Sequence, residues 1–288
     1  MTHPPLPDPP AVAVVGGSGL YRLFDAGSAT EVDVPTPYGP PSGPVSVGTF
    51  GGRTVAFLAR HGQGHSLPPH RVNARANLWA LASLGVRAVV SSTAVGSLDP
   101  ALAPGSFVVP DQLIDRTSGR ADTYFDGGPD GAGGVEHLAA ADPFCPVLRA
   151  VALAAVRAAG EEVRDAATTV VVQGPRFSTR AESRWYRAAG ADIVNMTQYP
   201  ETVLAAELGL GLVNLSFVTD TDAGVLPGEA DAADAALVLE RMAAAQPRLL
   251  ELLAAVVAAV PDDYEARELV PRDASRRVLA LAPVGALG

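Results

Sequence analysis

The sequence predicts a single α/β domain with a central mixed, mainly parallel twisted sheet flanked by helices. Three observations carry this. Apolar runs of strand length alternate with Ala- and Leu-rich stretches of helical length from residue 11 to residue 260. No fixed-period repeat and no linker-like shift of composition divides the chain. With 48% hydrophobic and 18% charged residues over 288 positions, there is material for one large core. Residues 1–10, polar and Pro-rich, are expected to be a flexible N-terminal segment. Residues 11–260 form the domain, and 261–288 read as a C-terminal extension of the same domain without a clear pattern.

Ala11–Val15 is a buried first strand ending in the tight turn Gly16-Gly17-Ser18-Gly19. Val45–Phe50 and Arg53–Ala59, joined by Gly51-Gly52, form a hairpin. Asn73–Leu84 has helical spacing and stops at Gly85; Val86–Ser92 and Ser106–Val109 are the next strands. Gly127–Gly134 is a Gly-rich loop. Pro146–Ala159 is a helix closed by Gly160, and Ala166–Val172 a strand. Ser178–Ala189 is a helix that Ser178 caps and Gly190 ends. Ile193–Met196 and Leu212–Thr219 are strands flanking the helix Glu201–Leu208. Asp231–Val260 is a long Ala-rich helical region with a break expected near Pro247.

All 21 basic residues are arginine, and lysine is absent. Schiff-base enzymes, pyridoxal-phosphate enzymes and P-loop NTPases are excluded, because each needs a lysine amine. A net charge of −10 argues against general binding to nucleic acid or to an anionic membrane surface. One cysteine, Cys145, excludes an intrachain disulfide, suits a reducing cytoplasm, and reads as a small buried filler. The first ten residues lack the basic and apolar regions of a signal peptide. The longest apolar run, Leu249–Val260, is interrupted by Glu251 and too short to span a bilayer. A soluble, cytoplasmic protein is expected.

The charge is unevenly placed. From Val34 to Leu98 there is no Asp or Glu, yet Arg53, Arg60, Arg71, Arg75 and Arg87 fall there with His61, His65 and His70. This window reads as room for a small anion, against the plainer reading of solvated surface arginines. The glycine turn at 16–19 fits neither a dinucleotide fingerprint, which needs glycine where Arg22 stands, nor a nucleophile elbow, which needs it at Leu20. It remains a nest of backbone N–H groups with one hydroxyl. Arg60 at a strand end has a guanidinium fork that grips two phosphate oxygens, with the His61 imidazole as a further donor. A metal site at His61, His65 and His70 is the weaker alternative, since Gly- and Pro-rich spacing does not set them on one helix face. Ser91 to Gly96 ends a strand in small residues and hydroxyls, a place for a ligand or only a turn. Asp220 and Asp222 share one face of a strand end, so one carboxyl holds a proton near neutral pH, which suits a heterocycle with an acceptor nitrogen and an amino donor. A metal-binding Asp-x-Asp or a solvated loop pair are the competing readings.

Taken together these segments resemble the S-methyl-5′-thioadenosine phosphorylases of the purine nucleoside phosphorylase superfamily, trimeric class. The matching stretches are Gly-Gly-Ser-Gly-Leu at 16–20, Thr-Pro-Tyr-Gly-x-Pro-Ser at 36–42, Leu-Ala-Arg-His-Gly at 58–62 and Thr-Ala-Val-Gly-Ser-Leu at 93–98. They continue with Asp-Gln-Leu-Ile-Asp-Arg-Thr at 111–117, Pro-Phe-Cys-Pro at 143–146 and Gln-Gly-Pro-Arg-Phe-Ser-Thr-Arg-Ala-Glu-Ser at 173–183. Gly-Ala-Asp-Ile-Val-Asn-Met-Thr at 190–197 and Thr-Asp-x-Asp at 219–222 complete the series.

The resemblance implies a nucleoside phosphorylase-like fold, a homotrimer, and phosphorolysis of a 5′-substituted 5′-deoxyadenosine to adenine, with inorganic phosphate as co-substrate and no metal or organic cofactor. It assigns phosphate to Ser18, Arg60, His61, Thr93, Ala94 and Thr197, and the ribose to Met196. Phe177 and Ser178 fall at the base, Asp220 and Asp222 at the purine N7 and 6-amino edge, and His137 at a neighbouring subunit's 5′ pocket. On an ungapped count the 5′ pocket is lined by Ala233, Ala236 and Leu237, two alanines where the family has branched aliphatics, so a roomier pocket is expected. Competing functions are a sibling phosphorylase with altered 5′ or base specificity, a non-catalytic nucleoside-binding protein, and a hydrolase using water.

Overall fold

The computed structural model describes residues 8–127, 134–224 and 232–283. In chain order the strands are β1 (Val12–Gly16), β2 (Ala29–Val32), β3 (Val45–Phe50), β4 (Arg53–Ala59), β5 (Ala88–Ser97) and β6 (Phe107–Val108). β7 (Gln112–Arg116), β8 (Val163–Arg164), β9 (Thr168–Val172), β10 (Ile193–Asn195) and β11 (Gly211–Asp220) follow. The helices are α1 (Ala74–Ser83), α2 (Pro146–Ala158), α3 (Arg180–Ala188), α4 (Gln198–Glu207), α5 (Ala235–Ala259) and α6 (Arg272–Leu279).

The sheet is organised around β5. Along one edge β11 runs parallel from Gly211 opposite Ala88 to Asp220 opposite Gly96. Two strands share the other edge: β1 lies parallel to Ala88–Ser91, and β10 lies antiparallel to Gly96 and Ser97. Residues 92–95 therefore have no strand partner on that side, and the sheet splits there. β1 continues outward to β4, β3 and β2, while β10 continues to β9 and β7.

β1 shows why the central strands are continuous apolar runs. Its side chains alternate between two cores, Ala13 and Val15 on one face, Val12 and Val14 on the other. The first core is closed by α1, α4 and α6, the second by α2 and α5. α5 is long and apolar enough to cross a membrane by length and composition, unlike the shorter run read from the sequence. Its Leu249, Leu252, Leu253, Val256 and Val257 are buried in the second core. Cys145 is buried in that core, its Sγ 3.2 Å from the Tyr264 hydroxyl.

Several sequence expectations are corrected. α3 is capped by Thr179, not Ser178: the Thr179 hydroxyl accepts from Glu182 N, and the Glu182 carboxylate accepts from Thr179 N. α5 runs unbroken through Pro247, which lies on the exposed face while Met242, Ala245 and Leu249 hold the buried face. β5 extends to Ser97, beyond the expected end at Ser92, and α4 starts at Gln198. The segment after Pro261, by contrast, packs into the same body as expected: Ala274 and Val278 are fully buried, and Trp79 Nε1 donates to Val278 O at 3.0 Å. Residues 128–133 of the expected Gly-rich loop and Asp231 lie outside the described residues.

Candidate active site

A cavity of about 420 Å³ occupies the split in the sheet. It lies past the C-terminal ends of β1, β4 and β11 and beside the unpaired stretch of β5, the place where open α/β sheets bind ligands. Among the described residues, no three His, Cys, Asp or Glu side chains converge as a metal site.

One end of the cavity is acidic. Asp220 sits just after a register shift, Val218 opposite Val95 but Asp220 opposite Gly96, and this bulge aims its side chain. Asp220 is 3% exposed and Asp222 2%. Thr219 Oγ1 donates to Asp220 Oδ2 at 2.7 Å, and Asp222 N to Oδ1 at 2.8 Å. Burial outweighs both donors and pushes the Asp220 carboxyl up to about 7, with the Asp222 charge adding to the rise. Asp222 is also raised by burial, although the Ser183 hydroxyl donates to its Oδ2 and Ser178 lies near enough to hold it down. The Ser178 hydroxyl is buried beside Asp222 and lines the cavity. Asp222 adopts φ 50°, a left-handed conformation that costs energy in a non-glycine residue and recurs at functional sites.

The other end holds Arg60 and His61, arranged differently from the sequence expectation. Arg60 is fully buried, and its fork is occupied by Glu201: Nε donates to Oε1 and Nη2 to Oε2 at 2.9 Å. Nη2 also donates to Ser91 Oγ at 3.1 Å and Nη1 to Ser92 O at 3.0 Å. Of five N–H groups one, on Nη1, remains for a ligand, so Arg60 offers a single donor rather than a two-oxygen grip. His61 is corrected too. Its Nδ1 lies 2.9 Å from Leu67 O, and a carbonyl only accepts, so Nδ1 carries the hydrogen. Burial and the Arg60 charge depress this imidazole to about 3, leaving Nε2 as an acceptor instead of the expected donor. The His65 ring stacks on His61 at 4.3 Å. Thr93 Oγ1 is set by Asn214 and Gln198, at 3.0 and 3.2 Å.

Ser18, Arg60, His61, Thr93, Ala94 and Thr197 line one cavity with Phe177, Ser178, Met196, Asp220 and Asp222. Ala233, Ala236 and Leu237 do not line it; Ala235, Val238 and Leu239 do, each two positions later. Ala233 N instead donates to Asp222 O. His137 is exposed and outside the cavity. Sequence reasoning missed Asn195, whose Oδ1 accepts from Thr197 N and Gln198 N at 2.7 Å and so shapes the turn into α4. It also missed Glu201; a carboxylate on the apolar face of a helix was the available signal that a buried cation faced it.

A mixed sheet split at its central strand thus sets buried carboxylates and a buried arginine around one cavity, the arrangement of a ligand-binding α/β protein. The chain belongs to the phosphorylase superfamily, whose family model matches residues 11–258. It is 57% identical to the S-methyl-5′-thioadenosine phosphorylase of Mycolicibacterium smegmatis over 75% of this chain and 79% of that one. It is 52% identical to the purine nucleoside phosphorylase of Streptomyces coelicolor over 88% of this chain and 90% of the other. Among solved structures, methylthioadenosine phosphorylase from Schistosoma mansoni in complex with adenine superposes with a TM-score of 0.84 at 35% identity, covering 94% of this chain and 97% of that one.

Proposed function

We propose that this chain phosphorolyses S-methyl-5′-thioadenosine, or a closely related 5′-substituted 5′-deoxyadenosine, to adenine and the 5-substituted ribose 1-phosphate, as a cytoplasmic enzyme of methionine and purine salvage. The observation that carries the reading is the buried Asp220–Asp222 pair. A phosphate oxygen attacks C1′ as the C1′–N9 bond breaks, and the electron pair passes to the purine. The Asp220 carboxyl, protonated up to about pH 7, gives its proton to N7 and is re-protonated from solvent. Asp222 accepts from the 6-amino group, which selects adenine over a 6-oxopurine. Phosphate rests on Ser18, Thr197, backbone N–H groups and the one free N–H of Arg60, while Met196 and Phe177 hold ribose and base. Ala235, Val238 and Leu239 give the 5′ substituent an apolar wall. Inorganic phosphate is the co-substrate, and the scheme calls on no metal or organic cofactor. The active form is a homotrimer in which His137 reaches a neighbouring cavity.

The likeness to the Streptomyces purine nucleoside phosphorylase keeps a sibling specificity as the second reading. Both are tested by kcat/KM for 5′-methylthioadenosine, adenosine, 5′-deoxyadenosine and 5′-methylthioinosine at saturating phosphate. Adenine release is expected to require phosphate and to be fastest from a 5′-deoxy-5′-substituted adenosine. Turnover by water alone would make the chain a hydrolase. Equal or better turnover of 5′-methylthioinosine would overturn the 6-amino preference.

A further inference from the structure

The cavity's nucleoside side is made by two loops that are remote in sequence. One, after β9, carries Pro175, Phe177 and Ser178; the other, between β10 and α4, carries Met196 and Thr197. They touch closely: at Gly174, with φ 62°, an added Cβ would lie 2.6 Å from Met196 Sδ. What holds the two loops together is Arg120, a residue that does not line the cavity itself.

Arg120 follows β7 and is half-buried. Its Nε donates to Gln173 Oε1 at 3.2 Å. Nη1 donates to the carbonyls of Met196 at 2.9 Å and Tyr199 at 2.7 Å. Nη2 donates to those of Val172 at 3.4 Å and Gln173 at 3.0 Å. A guanidinium has five N–H groups in a rigid plane, and here all five are spent on five acceptors from these two loops. None of the acceptors is a carboxylate. The bonds fix backbone positions rather than neutralise a charge.

The local sequence makes those carbonyls available. Pro200 bars Tyr199 from helical dihedrals, and Tyr199 stands at φ −109°, ψ 132°, so its carbonyl leaves the α4 ladder. The same segment clasps both loops again: Ser118 N donates to Gln173 Oε1 at 3.1 Å, and the Tyr199 hydroxyl to Asp122 Oδ2 at 2.6 Å.

We propose that Arg120 is the positioning residue that sets the Gln173–Ser178 loop against the Met196–Tyr199 turn and thereby fixes the nucleoside subsite. The inference rests on the reading that these loops hold base and ribose. Ser18, Arg60, His61 and Thr93 stand on other elements and only Thr197 of the phosphate set lies on the turn, so the phosphate end changes less than the nucleoside end when Arg120 changes. Lysine has three donors on one atom and cannot span both loops.

The experiment measures both KM values for Arg120→Lys and Arg120→Gln in the full chain, with adenine affinity by calorimetry. In both variants the nucleoside KM is expected to rise at least about tenfold and adenine binding to weaken in step, with the phosphate KM moving less than about threefold. Gln173→Ala removes only the side-chain acceptor and gives a smaller rise of the same pattern, even if the Arg120 variants fail to fold. Rescue by lysine would assign the effect to charge and overturn the proposal. So would equal losses for both substrates, or folded variants with unchanged nucleoside KM and adenine affinity. If the unmutated protein bound adenine but did not phosphorolyse nucleosides, the functional reading would fall while adenine affinity still judged Arg120.

Discussion

At Asp220 burial sets a stability dependence on pH and, in the proposed mechanism, a catalytic one. The folded chain keeps this proton up to about 7, whereas an unfolded aspartate releases it near 3.8. Between those values the folded state binds more protons, so this residue's share of stability is full below the lower value and declines as pH rises to the upper. In the proposed mechanism activity follows the same proton. At saturating phosphate, kcat/KM is expected to be level below about pH 7 and to fall above it. Asp220→Asn is expected to abolish that limb and to cost about 2–4 kcal/mol of barrier, by analogy with removing one preorganised donor. A limb that survives in the asparagine variant would assign the titration elsewhere. Arg60 makes the opposite point about single substitutions. Because Glu201 fills its fork, Arg60→Ala leaves a carboxylate buried and unpaired, which costs about 3–5 kcal/mol. That loss is expected first in denaturant melts, and a variant as stable as its parent would show the pair to be dispensable. A phosphate KM measured on Arg60→Ala alone therefore mixes folding with binding.

At the scale of elements, the site exists because β5 is paired along one edge and only partly along the other. Gly96 marks the point where the bulged end of β11 returns to it. A Cβ there would lie 2.7 Å from Asp220 Oδ1 and 3.0 Å from Asp222 Cα. Gly96→Ala is expected to push both carboxylates out of line and lower kcat/KM at least about tenfold, because sub-ångström placement governs such steps. Wild-type kinetics in this variant would refute the placement argument. The hairpin β3–β4, the buried strands and the Ala-rich helices were legible in the sequence because apolar periodicity reports burial directly. β2 and β7 were not: they end the two arms of the sheet, and half-exposed stretches such as Ala29–Val32 and Gln112–Arg116 lack that signal. α6 escaped because only Ala274, Ser275 and Val278 are buried on its Arg-rich surface. The polar end of β5 was read as a place for a ligand or a turn and not as strand, since the buried hydroxyls of Ser91 and Thr93 look solvated until their partners on β11 and α4 are known.

For the whole molecule, strand ends were enough to gather the anion and base residues into one cavity, because an α/β sheet brings its C-terminal ends together. The 5′ wall needed a register across residues 225–231 that no local pattern supplies, hence the constant two-residue slip onto α5. The remaining residue proposed for the site lies outside the cavity altogether. His137 is exposed and does not line the cavity of its own chain, and two residues before it Val135 is 72% exposed. If His137 completes a neighbouring 5′ pocket, light scattering is expected to give about three times the 29.5 kDa chain mass. His137→Ala is then expected to raise the KM for 5′-methylthioadenosine about three- to tenfold, the scale of about 1 kcal/mol of lost contact, without moving the phosphate KM. In that reading the effect of the substitution passes through the partner, because among the described residues His137 does not line its own cavity. A monomer with full activity, or a trimer in which His137→Ala is silent, would place the 5′ pocket wholly within one chain.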